Sequence, residues 1–110
     1  MVQADLVLDK EGLLRSCRVL GHAGAGSNGY DVVCAAVSVL TRTIVKVLSG
    51  REGLTIRGCI PERGNFQMEV DYAEEGKEFL NAAGAFLYEG LKSVAAEFPK
   101  NCVVNVKRRN

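Results

Sequence analysis

Five short stretches of the chain carry apolar residues in alternation with polar ones or in short runs, as β-strands do. They are residues 2–8, 13–20, 54–60, 65–70 and 102–106. The first stretch shows the alternation of a β-strand most clearly, because Val2, Ala4, Leu6 and Leu8 would all lie on one face of the strand. Turn clusters at 9–12 and 61–64 follow the first and third stretches, so the first four are predicted to form two hairpins.

Two longer segments repeat apolar residues every three or four positions, which is the spacing of one helix face. The first predicted helix begins between Asn28 and Tyr30 and ends at Ser49 and Gly50. Its apolar positions are Val33, Ala36, Val37, Leu40, Ile44, Val47 and Leu48. The second is predicted from about Glu74 to Phe98. Its apolar positions are Phe79, Ala83, Phe86, Leu87, Leu91, Val94 and Phe98.

The predicted order is ββαββαβ, which indicates the α+β class. Each helix has one apolar stripe to bury, so both are expected to pack on a mixed or antiparallel sheet within a single domain, residues 1–110. Gly84 and Gly90 lie inside the second predicted helix. Each glycine destabilises a helix by about 1 kcal/mol relative to alanine, unless a neighbour packs so closely that a side chain would not fit. Two neighbours would explain these glycines. One is the sheet of the same chain, and the other is a helix of a second copy, which predicts a homodimer.

Composition narrows the classes of function. The chain has 14 Lys and Arg against 13 Asp and Glu, so it offers no broad positive field to a nucleic acid. The basic end, Lys107 to Arg109, is interpreted as a solvated tail. The chain has no run of 18 apolar residues and does not begin as a signal peptide does, so we expect a cytoplasmic protein without membrane contact.

The four cysteines are far apart and form no C-x-x-C pair, which argues against both a zinc site and a disulfide framework. No metal and no cofactor are expected. Cys17, Cys59 and Cys102 fall in predicted strands and are interpreted as packing residues. Cys34 is different, because it lies near the start of the first predicted helix, within its first turn or just beyond.

The stretch from Gly21 to Cys34 holds the only histidine of the chain, His22, 12 residues before Cys34. A cysteine attacks as thiolate, which a nearby imidazolium and a helix N-terminus both stabilise. His22 and Cys34 are therefore a candidate base and nucleophile. The alternatives are a core cysteine and a histidine that bonds a backbone carbonyl in the turn.

Parts of the sequence also fit two other functions. Residues 24–29 read G-x-G-x-x-G between a strand and a helix, which is the context of a dinucleotide site, but the flanking elements do not repeat as βαβ units. A non-enzymatic ribosome-associated or RNA-binding module would use scattered arginines and the basic end. Acidic residues are nearly as numerous and aromatic residues are few, which argues against that module.

The segment Gly21-His22-Ala23, a Gly-rich spacer and then 29–38, GYDVVCAAVS, closely resemble the signature of the Prp family of ribosomal-processing cysteine proteases. The resemblance extends over the whole chain in length and element order. It implies that His22 and Cys34 form a catalytic dyad. The implied substrate is the N-terminal extension of large-subunit ribosomal protein twenty-seven, with no requirement for nucleic acid.

We expect two other residues of the signature, Asp31 and Ser38, to support the dyad. Asp31 lies three residues before Cys34, where it would orient His22 or an incoming backbone, or complement the helix N-terminus. Ser38 lies one turn after Cys34 and would hydrogen-bond near the site, or bond the carbonyl four residues back. The expected substrate loop comprises Gly21, Ala23, Gly24, Gly26 and Gly29. This loop is either a lid over the acyl-enzyme or a plain connector.

Overall fold

A computed structural model describes residues 1–21, 28–62 and 64–109, with the backbone alone at 28–31 and 61. The strands are β1 (Val2–Leu8), β2 (Leu14–Leu20), β3 (Leu54–Glu62), β4 (Asn65–Tyr72) and β5 (Cys102–Arg108). The helices are α1 (Asn28–Leu48) and α2 (Lys77–Glu97), and a 3₁₀ turn, Glu74–Gly76, leads into α2. The order ββαββαβ and the α+β class are therefore confirmed.

The five strands form one mixed sheet in the order β3-β4-β2-β1-β5. Among the described residues only the β1–β5 pair is parallel. The two hairpin pairs and the β2–β4 pair are antiparallel. The β2–β4 pair joins the hairpins, with Val19 opposite Phe66. The start of β1, the end of β2, the end of β3 and the start of β4 therefore meet at one end of the sheet.

The core lies between the sheet and the two helices, which pack against each other. From β1 it takes Val2, Ala4 and Leu6, as the alternation predicts. Two helical positions differ from the prediction, because Phe86 is 72% exposed and Val47 is 41% exposed. Leu80, which the predicted stripe omits, is fully buried. The buried stripe of α2 runs through Leu80, Leu87 and Leu91, and Phe86 projects sideways from it.

The two glycines inside α2 pack against groups of the same chain. A Cβ added at Gly84 would lie 3.3 Å from Cβ of Leu14 in β2. A Cβ at Gly90 would lie 2.8 Å from Cδ2 of Leu40 in α1. Close approach to the sheet therefore explains Gly84, and close approach of the two helices explains Gly90. Neither glycine supports the contact between copies.

The interpretation of Cys59 as a packing residue is wrong, because its side chain is exposed. Between Arg57 and Ile60 the register of β3 against β4 shifts, and Gly58 has a φ of +53°. Cys59 lies within this β-bulge, where the residues of β3 have no one-to-one partners on β4. Cys17 and Cys102 are buried, as predicted.

The basic end of the chain is not a solvated tail, because β5 continues through Lys107 to Arg108. Arg108 pairs with Leu8 across the parallel β1–β5 ladder, and the N–H of Arg109 donates to the carbonyl of Leu8 at 2.7 Å. The backbone of these basic residues is held at an edge of the sheet. Within the part of the chain that the structure describes, no helix combines the length and apolarity needed to span a bilayer.

Candidate active site

One small cleft lies at the end of the sheet where β1, β2, β3 and β4 meet, under one face of α1. Its volume is about 20 Å³, enough for about one water molecule. Its lining includes three residues of the predicted site, namely Gly21, Cys34 and Ser38. The other described residues that line it are Val2, Val19, Val37, Thr41, Glu62, Gly64 and Phe66.

Cys34 lies on the helix side of this cleft and is 6% exposed. It is the seventh residue of α1 (Asn28–Leu48), which places it at the end of the second helical turn. The predicted start of this helix between Asn28 and Tyr30 is confirmed, and Cys34 lies beyond the first turn. The orphan N–H groups of a helix belong to its first four residues, here 28–31, so they come before Cys34.

Gly21 directly follows β2, at a position that only glycine tolerates. Its φ is +121°, and a Cβ there would lie 2.3 Å from the carbonyl oxygen of Met1. Its N–H donates to the carbonyl of Gly64 at 3.1 Å, which ties the end of β2 to the β3–β4 turn. The backbone immediately before His22 is thus held at the mouth of the cleft.

Ser38 and Thr41 follow Cys34 at spacings of four and seven, so all three lie on one face of α1. Thr41 is 3% exposed, and its hydroxyl donates to the carbonyl of Val37 at 2.9 Å. The carbonyl of Ser38 accepts from the Arg42 side chain at 3.2 Å. Sequence reasoning missed Thr41, although its spacing from Cys34 is a signal that identifies it.

Glu62 is a second lining residue that sequence reasoning missed. It ends β3 and pairs with Asn65 at the start of β4. No local pattern relates Glu62 to Cys34, because the two come to line one cleft only through the register of the sheet. Among the described residues that line the cleft, Glu62 has the only charged side chain.

Several predicted site residues cannot be placed. His22, Ala23, Gly24 and Gly26 lie outside the described residues, as does most of the G-x-G-x-x-G segment. Gly29 and Asp31 belong to the first turn of α1, where the backbone alone is described. The dyad, the role of Asp31 and the lid therefore stay predictions.

The other buried cysteines lack the surroundings of a reactive thiol. Burial raises the pKa of Cys17 to about 12, and the charge of Asp5 acts in the same direction. Burial also raises the pKa of Cys102. Such thiols stay protonated at neutral pH and are poor nucleophiles. Across residues 1–21, 28–62 and 64–109, no three His, Cys, Asp or Glu side chains form a group suited to a metal ion.

Residues 1–103 match the model of a protein family described as cysteine protease Prp. No curated protein sequence matches the chain. Among solved structures, SMU.848 from Streptococcus mutans is 26% identical, with a TM-score of 0.80 over 99% of this chain and 96% of that one.

The ribosomal processing protease Prp of S. aureus, in complex with a substrate peptide, is 21% identical. Its TM-score is 0.79, over 97% of this chain and all of that one. The structure of the same enzyme with a covalently linked product peptide has a TM-score of 0.78, with the same identity and coverage. At this identity the likeness shows a shared fold.

Proposed function

The chain belongs to the Prp family of cysteine proteases, and on that premise we propose that it removes the N-terminal extension of large-subunit ribosomal protein twenty-seven. Cys34 is the nucleophile and His22 is the general base and acid in this proposal. The observation that carries it is the position of Cys34 in a cleft beside Gly21, the residue before His22. The S. aureus enzyme that shares the fold is described as an essential ribosomal processing protease.

The proposed reaction is acyl transfer. His22 takes the proton of the Cys34 thiol, and the thiolate attacks the carbonyl carbon of the scissile peptide bond. As the tetrahedral intermediate collapses, the imidazolium gives its proton to the leaving amine. Water, deprotonated by the neutral imidazole, then hydrolyses the thioester and restores the thiol. No metal or cofactor takes part in these steps.

The oxyanion of the tetrahedral intermediate requires hydrogen-bond donors in fixed positions. In a regular α-helix the N–H of Cys34 bonds the carbonyl four residues before it, so this N–H is already used. The N–H groups of residues 28–31 have no such partner within α1. We therefore assign the oxyanion donors to the first turn of α1 rather than to Cys34 itself.

Substrate binding has to widen the cleft. A reacting carbonyl must come within about 3–3.5 Å of the sulfur, yet the cleft holds about one water and leaves Cys34 6% exposed. Residues 23–28, the proposed lid, precede Cys34 in the chain. Amide hydrogen exchange with and without a substrate peptide tests the lid, and unchanged exchange across 23–28 rejects it.

The test of the function is incubation of the purified, reduced protein with the extended ribosomal protein, followed by intact-mass spectrometry. The proposal predicts a product shortened by the N-terminal extension alone. Cys59→Ala is the matched thiol control, because Cys59 is exposed and lies outside the cleft lining. Its activity is expected to equal that of the unmodified protein. A folded sample that leaves the extension in place refutes the proposal.

The proposal also covers the oligomeric state of the protein and its location in the cell. We propose a homodimer in the cytoplasm, although Gly84 and Gly90 give no support because they contact Leu14 and Leu40 of the same chain. Sedimentation equilibrium over a range of protein concentrations tests the dimer. A single species of 11.9 kDa at every concentration would exclude it.

A further inference from the structure

Positively charged side chains gather at the end of the sheet away from the cleft. We call this group the basic tip, and its members, all exposed, are Lys10, Lys107, Arg108 and Arg109. Two neighbouring segments carry it, namely the end of β5 and the turn between β1 and β2. Arg108 pairs with Leu8 across the β1–β5 ladder, and a Cβ added at Gly12 in that turn would lie 3.8 Å from Nη1 of Arg108.

The basic tip is not neutralised by the rest of the described chain. The ion pairs there take their cations from Arg15, Arg57, Lys77 and Lys92. Two carboxylates lie in the same turn as Lys10, but both are engaged elsewhere. Asp9 accepts a hydrogen bond from the hydroxyl of Tyr72. Glu11 accepts one from Lys77 at 3.0 Å. The tip therefore keeps an excess of positive charge that faces solvent.

We propose that the basic tip binds the phosphate backbone of RNA. Lys and Arg side chains that neutralise phosphates supply essentially all of the affinity in non-specific binding of nucleic acids. The backbone of the tip is already ordered, since the N–H of Arg109 donates to the carbonyl of Leu8 at 2.7 Å. Binding therefore costs less conformational entropy than it would in a loose tail.

The arrangement of these charges favours RNA over a membrane surface. Successive residues of a strand point to opposite faces of the sheet, so Lys107 and Arg108 carry their charges to both sides of it. Charges on both sides can contact the two phosphate strands that flank the narrow groove of an RNA helix. A flat membrane surface contacts one side alone.

The basic tip lies apart from the proposed catalytic cleft. Val2 at the start of β1 lines the cleft, and Leu8 at the end of β1 pairs with Arg108. A strand of seven residues spans roughly 20 Å. RNA bound at the tip thus leaves the cleft open and holds the protease beside ribosomal proteins, which bind RNA themselves. This purpose rests on the proposed protease function, whereas RNA binding by the tip does not.

The test measures binding of the full, reduced chain to a fluorescein-labelled RNA duplex by anisotropy over a series of KCl concentrations. If each cation of the tip neutralises one phosphate, the logarithm of the association constant falls with the logarithm of salt concentration, with a slope of about −3 to −4. Affinity is then expected to fall about a hundredfold over a fourfold rise in salt.

Neutral substitutions in the tip measure the share of each cation. Lys10→Gln, Lys107→Gln, Arg108→Gln and Arg109→Gln are each expected to reduce the magnitude of the slope by about 1. Arg108→Lys keeps the charge and is expected to keep the slope. Lys100→Gln is the matched control, because it removes one exposed positive charge from the turn at the other end of β5. It is expected to leave the slope unchanged.

Three results overturn the RNA surface. One is the absence of binding to the duplex at the lowest salt concentration. Another is an equal loss in Lys100→Gln and in the tip variants, because net charge alone then governs binding. The third is binding to vesicles of anionic phospholipid in place of the duplex.

Cleavage of the extended ribosomal protein, free of RNA, is measured on the same proteins. Arg108→Gln is expected to leave kcat/KM for this precursor unchanged, which also shows that the variant is folded. A protein that binds RNA through the tip but leaves the precursor intact refutes the protease function alone. A protein that cuts the precursor without binding RNA through the tip refutes the RNA surface alone.

Discussion

The carbonyl oxygen of Met1 lies where a side chain at position 21 would begin. Gly21→Ala places a methyl group 2.3 Å from that oxygen and also requires a φ of +121°. We expect a loss of about 2–4 kcal/mol in the free energy of unfolding, since the clash adds to the cost of the backbone conformation. Urea unfolding measures it.

The matched control is Gly50→Ala. Gly50 also has a positive φ, +74°, but nothing lies within 4 Å of an added Cβ. Its expected cost is about 1–2 kcal/mol, from the backbone conformation alone. Equal losses at the two positions would show that the contact with Met1 does not constrain the end of β2.

The thiols differ in exposure, and alkylation under native conditions is predicted to follow that difference. Iodoacetamide at neutral pH is expected to modify Cys59, which is exposed, and to leave Cys17 and Cys102 intact. Burial raises the pKa of both protected thiols, so little thiolate is present. Peptide mapping by mass spectrometry reads the outcome. Rapid modification of Cys17 in the folded protein would contradict its burial.

Residues of the site differ in how well the sequence predicts them. Gly21, Cys34 and Ser38 are near one another in the chain, and the structure brings all three to one cleft. Thr41 is predictable in principle, because it lies on the helix face of Cys34. Glu62 is not predictable, because its place in the lining of the cleft depends on strand order, which the hydrophobic pattern does not contain.

At the scale of elements, the helix pair makes its closest contact at Gly90 and Leu40. Gly90→Ala gains about 1 kcal/mol of helix propensity, but its Cβ would lie 2.8 Å from Cδ2 of Leu40 and displace it. We expect little net change in the parent protein. In a Leu40→Ala background the obstruction is gone, and Gly90→Ala is expected to stabilise by about 1 kcal/mol.

Urea unfolding of the four proteins in this cycle measures the coupling. Leu40→Ala lowers stability by itself, so the effect of Gly90→Ala is compared within each background. The same effect in both backgrounds would mean that α1 and α2 do not press together at this point.

At this scale, two features of the structure differ from the predictions for local reasons. Cys59 is predicted to pack because it lies in a predicted strand, but a strand buries only one face. Leu54 and Ile56 pack against the core, and alternation from them does not bring Cys59 to their face. The predicted apolar stripe of α2 includes Phe86, which is exposed, and omits Leu80, which is buried. Nothing in the structure explains why a phenylalanine stands at the exposed position 86. The order of elements is predictable from the sequence, because apolar residues repeat every two positions in strands and about every 3.6 positions in helices, and the two patterns differ clearly over long segments.

At the scale of the whole molecule, the end of the sheet away from the cleft is held by a polar cluster around Tyr72 and Asp71. The hydroxyl of Tyr72 donates to Asp9 and, at 3.1 Å, to Glu11. Asp71 binds Arg57 and Arg15. The cluster joins the first hairpin to β3 and β4.

These contacts predict a loss of stability in acid. Burial raises the pKa of Asp9, but the hydrogen bonds from Tyr72, Leu13 and Glu11 outweigh burial and hold the pKa below 3.8. The hydrogen bond from Arg57 holds the pKa of Asp71 below 3.8 as well, against the effect of burial. The unfolded chain therefore binds more protons near these pKa values, and stability falls as pH drops below about 4.

Chemical unfolding across a pH series checks this prediction. The free energy of unfolding is expected to stay level at pH 5–7 and to decline below about pH 4. Asp71→Asn should lower stability at neutral pH and flatten the decline in acid, because one linked carboxyl is gone. An unchanged decline in that variant would remove Asp71 from the account.

The central claim is that Cys34 and His22 act as one catalytic unit, and kcat/KM for the extended ribosomal protein tests it most directly. Cys34→Ala, His22→Ala and Cys34→Ser should each abolish cleavage, and the double alanine variant should be no worse than either single variant, since residues that act as a unit are non-additive. Circular dichroism and thermal melting should show all variants folded. Cleavage retained by folded Cys34→Ala, or activity that depends on Cys17, Cys59 or Cys102 instead, would contradict the account.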